Sequence, residues 1–261
     1  MCAQTAVDGS GTPPPPGAPR RRQNQITPLQ WGGLAVLIAL FLYQAGLLRS
    51  PGSLQSEFPK WLALILAISF HEFSHGFVAT LFGDDVPRRA GRLTLNPLKH
   101  LDPIGTLMIL VGPIGWGKPM PINPAGMRNP NLGWALSSAA GPVSNVLLAT
   151  VTLLLFRALA PLLNPSIVPY FQALFAWNVG LAVFNLVPLP PLDGFGFLYG
   201  LAPQPLKVIF SPLWRYGPMI LLALLFLPAV LPGFPSILSD AVGNAQQALS
   251  SFLIGGVLGG V

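Results

Sequence analysis

The stretch that most limits what this chain can become is residues 60–83, KWLALILAISFHEFSHGFVATLFG, an apolar run with the polar pentapeptide His71-Glu72-Phe73-Ser74-His75 at its centre. A run of about 20 apolar residues is the length a helix needs to cross a bilayer. On a helix His71 and His75 lie one turn apart and point the same way, so two imidazole nitrogens can meet one tetrahedral cation. Glu72 sits about 100° further round, where it can reach a metal-bound water without ligating the metal. Three fixed positions recur by chance in soluble chains. A histidine pair and a carboxylate at membrane depth do not, because each ionisable group there costs about 2.5–3.5 kcal/mol on insertion scales. The segment is therefore predicted to bind a metal ion, with Glu72 as a general base.

The rest of the composition agrees with a membrane setting. The 261 residues include 52% hydrophobic and only 8% charged side chains, against about a quarter charged in soluble domains. The net charge of +6 does not indicate nucleic acid, because the basic residues form no stripe or aromatic-interleaved patch. The single cysteine, Cys2, excludes an intramolecular disulfide and a cysteine-based metal site.

Residues 1–27 contain GTPPPPGAPRRR and almost nothing apolar, and are expected to be a disordered Pro/Arg-rich tail. The remainder, 28–261, is expected to form a single membrane-embedded domain. Leu29 to Leu48 is long enough to span, and it is too long for the apolar region of a signal peptide and has no A-x-A-like cleavage site. Further spans are predicted at 60–83, 132–157, 168–189 and 212–232, and 236–257 is either a short span or an interfacial helix. Trp31, Trp61, Trp134 and Trp214 fall near span starts, as an aromatic belt requires. With the tail cytoplasmic, eleven Lys and Arg fall in inside loops and three (Arg49, Lys60, Arg157) outside, so the amino terminus is expected inside. His75 then lies about 10 Å from the cytoplasmic end of its helix.

The loop 84–131 is unusually apolar and proline-rich. Its segment 109–117, ILVGPIGWG, suggests a re-entrant or interfacial element. Arg92 to Leu95 and Pro119 to Asn123 have strand-like composition, and an edge strand there could pair with an extended peptide. The expected fold is thus an all-α polytopic membrane protein of about five to six transmembrane helices, with a small membrane-associated β or re-entrant segment between the second and third.

Two histidines leave a tetrahedral zinc one protein ligand short if a water keeps the open position. His100, Asp102 and Asp193 are the candidates, since Asp84 and Asp85 flank Arg88 and Arg89 and read as a solvated helix end. Asp193 follows prolines that break the fourth span, so its carboxylate can turn inward at the depth of the histidines.

Taken together, these motifs resemble the site-2 protease family of intramembrane zinc metalloproteases (peptidase family M50). HEFSH is similar to its HExxH, and Asn185-Leu186-Val187-Pro188-Leu189-Pro190-Pro191-Leu192-Asp193-Gly194 is similar to its N-x-x-P-x-P-x-x-D-G element. Ala140-Gly141-Pro142-Val143-Ser144-Asn145 resembles its GP-x-x-N element, and GRLTLNPLKHLDPIGTL (91–107) resembles the loop after its first motif. The resemblance covers about 55–200, in the family's order. It implies one zinc per chain on His71, His75 and Asp193, with Glu72 as general base and proton shuttle. Asn145 would contact substrate or polarise its carbonyl, although an interhelical hydrogen bond explains it equally well. Asn185 is expected to be structural, and Ser74 has no free histidine to activate it.

The implied activity is zinc-dependent endopeptidase cleavage of transmembrane segments of membrane-protein substrates in a bacterial plasma membrane. The chain has no room for PDZ insertions or a CBS pair, so it resembles the compact form. A non-catalytic metal-binding membrane scaffold, or pseudoprotease, is the alternative, and the presence of Glu72 weighs against it. A metal-ion transporter would need polar groups beyond His71, where the helix instead reads LALILAISF.

Overall fold

The computed structural model describes residues 51–102, 105, 117–231 and 233–258. The expected tail (1–27), the first apolar run (29–48) and all but Gly117 of the re-entrant candidate (109–117) lie outside them. The described residues form helices α1 (Pro51–Leu81), α2 (Val86–Arg89), α3 (Pro130–Leu159), α4 (Val168–Asn185), α5 (Asp193–Leu201), α6 (Gln204–Val230) and α7 (Ile237–Leu258). Four helical stretches among them are long and apolar enough to cross a membrane: Glu57–Leu81, Pro130–Leu162, Pro165–Asn185 and Gln204–Pro228. Within α1 the hydroxyls of Ser69, Ser74 and Thr80 donate to the carbonyls of Ile65, Phe70 and Gly76 four residues back. Polar side chains are thereby satisfied inside an apolar helix without a partner elsewhere.

Helix α3 is the hub, packing against α1, α4, α5 and α7. Its buried positions include Gly133, Ala135, Ser137, Gly141 and Ala149, and α1 answers with Ala63, Ala67 and Ala79 at 2% exposure or less. Small residues let helix backbones approach closely, which is how helices associate where lipid offers no hydrophobic driving force. Gly200 of α5 shows how tight this is, because a Cβ there would lie 2.7 Å from the Ala135 amide nitrogen.

Helix α6 joins through aromatic contacts and through Gly217, where a Cβ would lie 2.7 Å from the Pro190 carbonyl oxygen. Trp214 stands 4.9 Å from Phe195 and 5.8 Å from Trp134 between ring centroids. Two of the expected belt tryptophans thus tie α3, α5 and α6 together, each such pair adding about 0.5–1.5 kcal/mol beyond its burial. Helix α7 buries Leu253 against Ala149, Leu153 and Val179, which places it on α3 and α4.

The loop between α1 and α3 differs from its expected form. Arg92–Leu95 and Pro119–Asn123 are not strands, and the described part of the loop has one isolated antiparallel bridge, Leu101 to Gly117. Pro119 and Pro121 have no N–H to donate, so a ladder cannot continue past Lys118, whose amide donates to the His100 carbonyl. Asp84 is also not solvated. It is 1% exposed, and its two carboxylate oxygens accept from the amides of Val86 and Asn123. This clamps the end of α1 to the loop 39 residues further on.

Candidate metal centre

His71, Glu72 and His75 come from the middle of α1, and Asp193 is the first residue of α5. The chain between α4 and α5 turns through Pro188-Leu189-Pro190-Pro191, which cannot continue a helix. Gly194 lets that turn fold back, since a Cβ on it would lie 2.1 Å from the Leu186 carbonyl oxygen. The result brings a carboxylate against two imidazoles that are 118 and 122 residues away in sequence. His71 Nε2 and His75 Nε2 lie 3.0 and 3.3 Å from Asp193 Oδ2, and the three ligand atoms are within 4.8 Å of one another.

Each imidazole is held from behind. His75 Nδ1–H donates to the Ser137 carbonyl at 2.6 Å. His71 Nδ1–H donates to Asn145 Oδ1 at 2.6 Å. With both Nδ1 atoms donating, both Nε2 atoms turn a lone pair toward Asp193 Oδ2, a buried oxygen with no hydrogen-bond partner. One proton could bridge a single pair of these atoms, whereas a metal cation satisfies all three. Tetrahedral zinc with bonds of about 2.0–2.1 Å requires ligand atoms about 3.3 Å apart, which the two distances to Asp193 fit. The residues present therefore fit zinc, as a two-nitrogen, one-oxygen set.

Glu72 shares a cavity of about 550 Å³ with these groups. The walls include Leu64, Ile68, Met120, Trp177 and Phe184, so the cavity is largely apolar away from the ligand cluster, with Ser138, Asn185 and Gln246 as further polar lining. Glu72 Oε2 is buried and has no hydrogen-bond partner among the described residues. Arg92, 5% exposed, donates from Nη2 to the Lys118 carbonyl and brings a positive charge into the field of Glu72. Burial pushes the Arg92 guanidinium below its ordinary pKa, and the Glu72 carboxylate opposes that shift.

The remaining sequence candidates lie elsewhere. His100 is fully buried and its Nε2 donates to the Thr94 carbonyl, so its ring serves the loop. Asp102 accepts from the Gly105 amide. Asn145 has no exposed surface, and its amide is committed to His71, to the Ala67 carbonyl at 3.3 Å and to Asn178 Oδ1 at 2.8 Å. It stands behind a histidine rather than on the cavity wall, away from the substrate-facing position expected of it. Asn185 donates to the Leu181 carbonyl within its own helix. Sequence reasoning missed three contributors. The Ser137 carbonyl is main chain and leaves no trace in sequence. The requirement for Gly141 is a close approach, since a Cβ there would lie 2.4 Å from His75 Nε2. Asn178 could have been noticed as a polar residue inside a span.

Fold and site together define a helical protein with four helices apolar enough to cross a membrane and a His71-His75-Asp193 group that could hold a metal ion beside the Glu72 carboxylate. Over 174 residues the chain is 39% identical to a Bacillus subtilis protein named "Putative zinc metalloprotease YwhC", a match covering 64% of this chain and 80% of the relative. It is 33% identical over 178 residues to "Putative zinc metalloprotease Rip2" of Mycolicibacterium smegmatis, covering 64% of this chain and 66% of the relative. A Rip2 of Mycobacterium tuberculosis is 29% identical over 177 residues, 65% of this chain and 67% of the relative. The chain belongs to this site-2 protease-like family of zinc metalloproteases. No family model and no solved structure matches it.

Proposed function

We propose that the protein is a zinc-dependent intramembrane endopeptidase that cuts transmembrane segments of membrane-protein substrates. His71, His75 and Asp193 would hold the zinc, which when bound supplies an acidified water and polarises the scissile carbonyl. Glu72, on the same cavity, would accept a proton from the attacking water and deliver it to the leaving amine. The apolar cavity walls keep bulk water from the reacting groups and accept an unwound stretch of apolar chain. Unwinding is needed because a spanning helix hides its amides in internal hydrogen bonds. Asn145 acts on His71 rather than on the substrate.

The reading extends to parts of the chain beyond the four described spans. Helix α7 lies in or along the membrane. The amino terminus faces the cytoplasm of a bacterial cell, following the distribution of Lys and Arg.

The observation that carries the proposal is Glu72 Oε2, a buried carboxylate oxygen with no hydrogen-bond partner among the described residues, on the same cavity as three convergent ligand atoms. A scaffold that only bound metal would have no use for it. In Glu72→Gln, zinc content should match wild type, while cleavage of a membrane-embedded reporter falls by about 10²–10⁴-fold, the contribution of a positioned general base. Undiminished cleavage would show that Glu72 is not the base.

A further inference from the structure

We propose that Asn178 is a positioning residue for the metal centre, fixing which end of the Asn145 amide meets His71 and thereby which way the His71 imidazole presents its lone pair. It is fully buried in α4, its hydrogen bonds go to Leu174 and Asn145, and it reaches the ligand cluster through that one intermediate side chain. The proposal rests on the zinc reading above for its consequence, although its geometry stands independently.

A run of fixed polarities starts at a backbone carbonyl. The Leu174 carbonyl can only accept, so the Asn178 end 2.7 Å from it must be the NH2 group. Asn178 Oδ1 then faces Asn145 at 2.8 Å and can only accept, so the Asn145 end that meets it must also be NH2. The Ala67 carbonyl, 3.3 Å from the same Asn145 nitrogen, agrees. Asn145 is left with an oxygen toward His71, 2.6 Å from Nδ1, and an oxygen there demands a proton on Nδ1. Nε2 is thereby kept for the metal. Amide ends are otherwise easy to interchange, and two main-chain carbonyls that cannot donate remove that freedom here. A side chain on α4 thus sets the donor state of a ligand on α1, through one residue on α3.

Without Asn178 Oδ1, the Asn145 amide keeps only the longer contact to Ala67 to hold its orientation. A turned amide would present NH2 to His71 Nδ1 and oppose the protonation state that metal binding needs. His75, bonded directly to the Ser137 carbonyl, would not notice.

The experiment uses the purified full chain in detergent, comparing wild type, Asn178→Leu and Asn178→Asp. Zinc affinity is measured by chelator competition, and the imidazole Nδ1–H resonances by NMR after 15N-histidine labelling. Because the chain has only three histidines, the spectrum holds few signals to assign. Asn178→Leu should bind zinc about 10-fold more weakly, at the lower end of what outer-shell changes cause. The His71 Nδ1–H should lose its hydrogen-bonded downfield position while that of His75 stays. Asn178→Asp should restore both, since an aspartate in either protonation state keeps an oxygen for Asn145 to donate to. Unchanged affinity and an unchanged His71 resonance in Asn178→Leu would overturn the proposal. So would a His75 resonance that moves as far as that of His71, or an aspartate that fails to restore, either of which would mean a packing role. Should the leucine variant not fold, the aspartate variant alone decides, by keeping or losing the His71 signal. Wild-type protein that takes up no zinc would instead refute the metal reading, and the His71 resonance would still judge the relay.

Discussion

The two regions behind the histidine ligands solve the same problem by different means. His75 leans on the first half of α3 through a main-chain carbonyl, and His71 leans on the middle of α3 through the side chains of Asn145 and Asn178. Both hold a proton on Nδ1 and free Nε2. A carbonyl does so with no sequence requirement and involves α1 and α3 alone. The side-chain relay needs two particular residues and requires α4 to be docked as well. One ligand is therefore built into the helix pair, and the other reports that the third helix is in place. Variation in sequence should fall almost entirely on His71.

The largest disturbance would abolish the difference by displacing both rings. Gly141 lies where α3 crosses the pair, and a Cβ would come within 2.4 Å of His75 Nε2 and 2.6 Å of His71 Cε1. Gly141→Ala should lower zinc affinity beyond the about 10–100-fold of an outer-shell change, measured by metal retention on dialysis. Retention at the wild-type level would mean that the rings can move aside without losing the metal. The next effects separate the two histidines. Asn145→Leu should weaken zinc by about 10–100-fold. It should also lower stability by about 1–3 kcal/mol, since Asn178 Oδ1 is left buried without a donor. Ser137→Ala is its counterpart on the other side. The Ser137 hydroxyl donates to the Gly133 carbonyl within α3, while the carbonyl that serves His75 is main chain. Zinc affinity should stay at the wild-type value in the same competition assay. A loss comparable to that of Asn145→Leu would erase the distinction between the two supports.

The contrast also marks what could be read in the sequence. HEFSH was legible because helical spacing alone puts His71 and His75 on one face, and the span lengths followed from apolar runs. Asp193 needed more, because a proline-broken turn allows a carboxylate to face inward but does not bring it there. Its approach depends on Gly194 fitting against the Leu186 carbonyl, and on the close packing of α5 against α3. Asn145 stood out through its likeness to the family's GP-x-x-N element, but its partners are 74 and 33 residues away, so its role depends on tertiary packing. Asp84 was misread for the same reason. Its neighbours Arg88 and Arg89 suggested solvent, while the group that buries it, the Asn123 amide, comes from the far side of the loop. The strands expected at 92–95 and 119–123 had suitable side chains, but Pro119 and Pro121 deprive the second of a continuous set of donors. For Asp84 and Asn145 the deciding partner is distant in sequence, whereas for 119–123 the deciding feature is the local proline pair.

The central claim is that one zinc ion is bound by the side chains of His71, His75 and Asp193. X-ray absorption at the zinc edge on the purified wild-type chain tests it most directly. The account predicts one zinc per chain, with two imidazole nitrogens and only oxygen otherwise at about 2.0–2.1 Å, and loss of an oxygen ligand in Asp193→Ala. A wild-type chain without zinc, or a zinc shell unchanged when Asp193 is replaced, would contradict it.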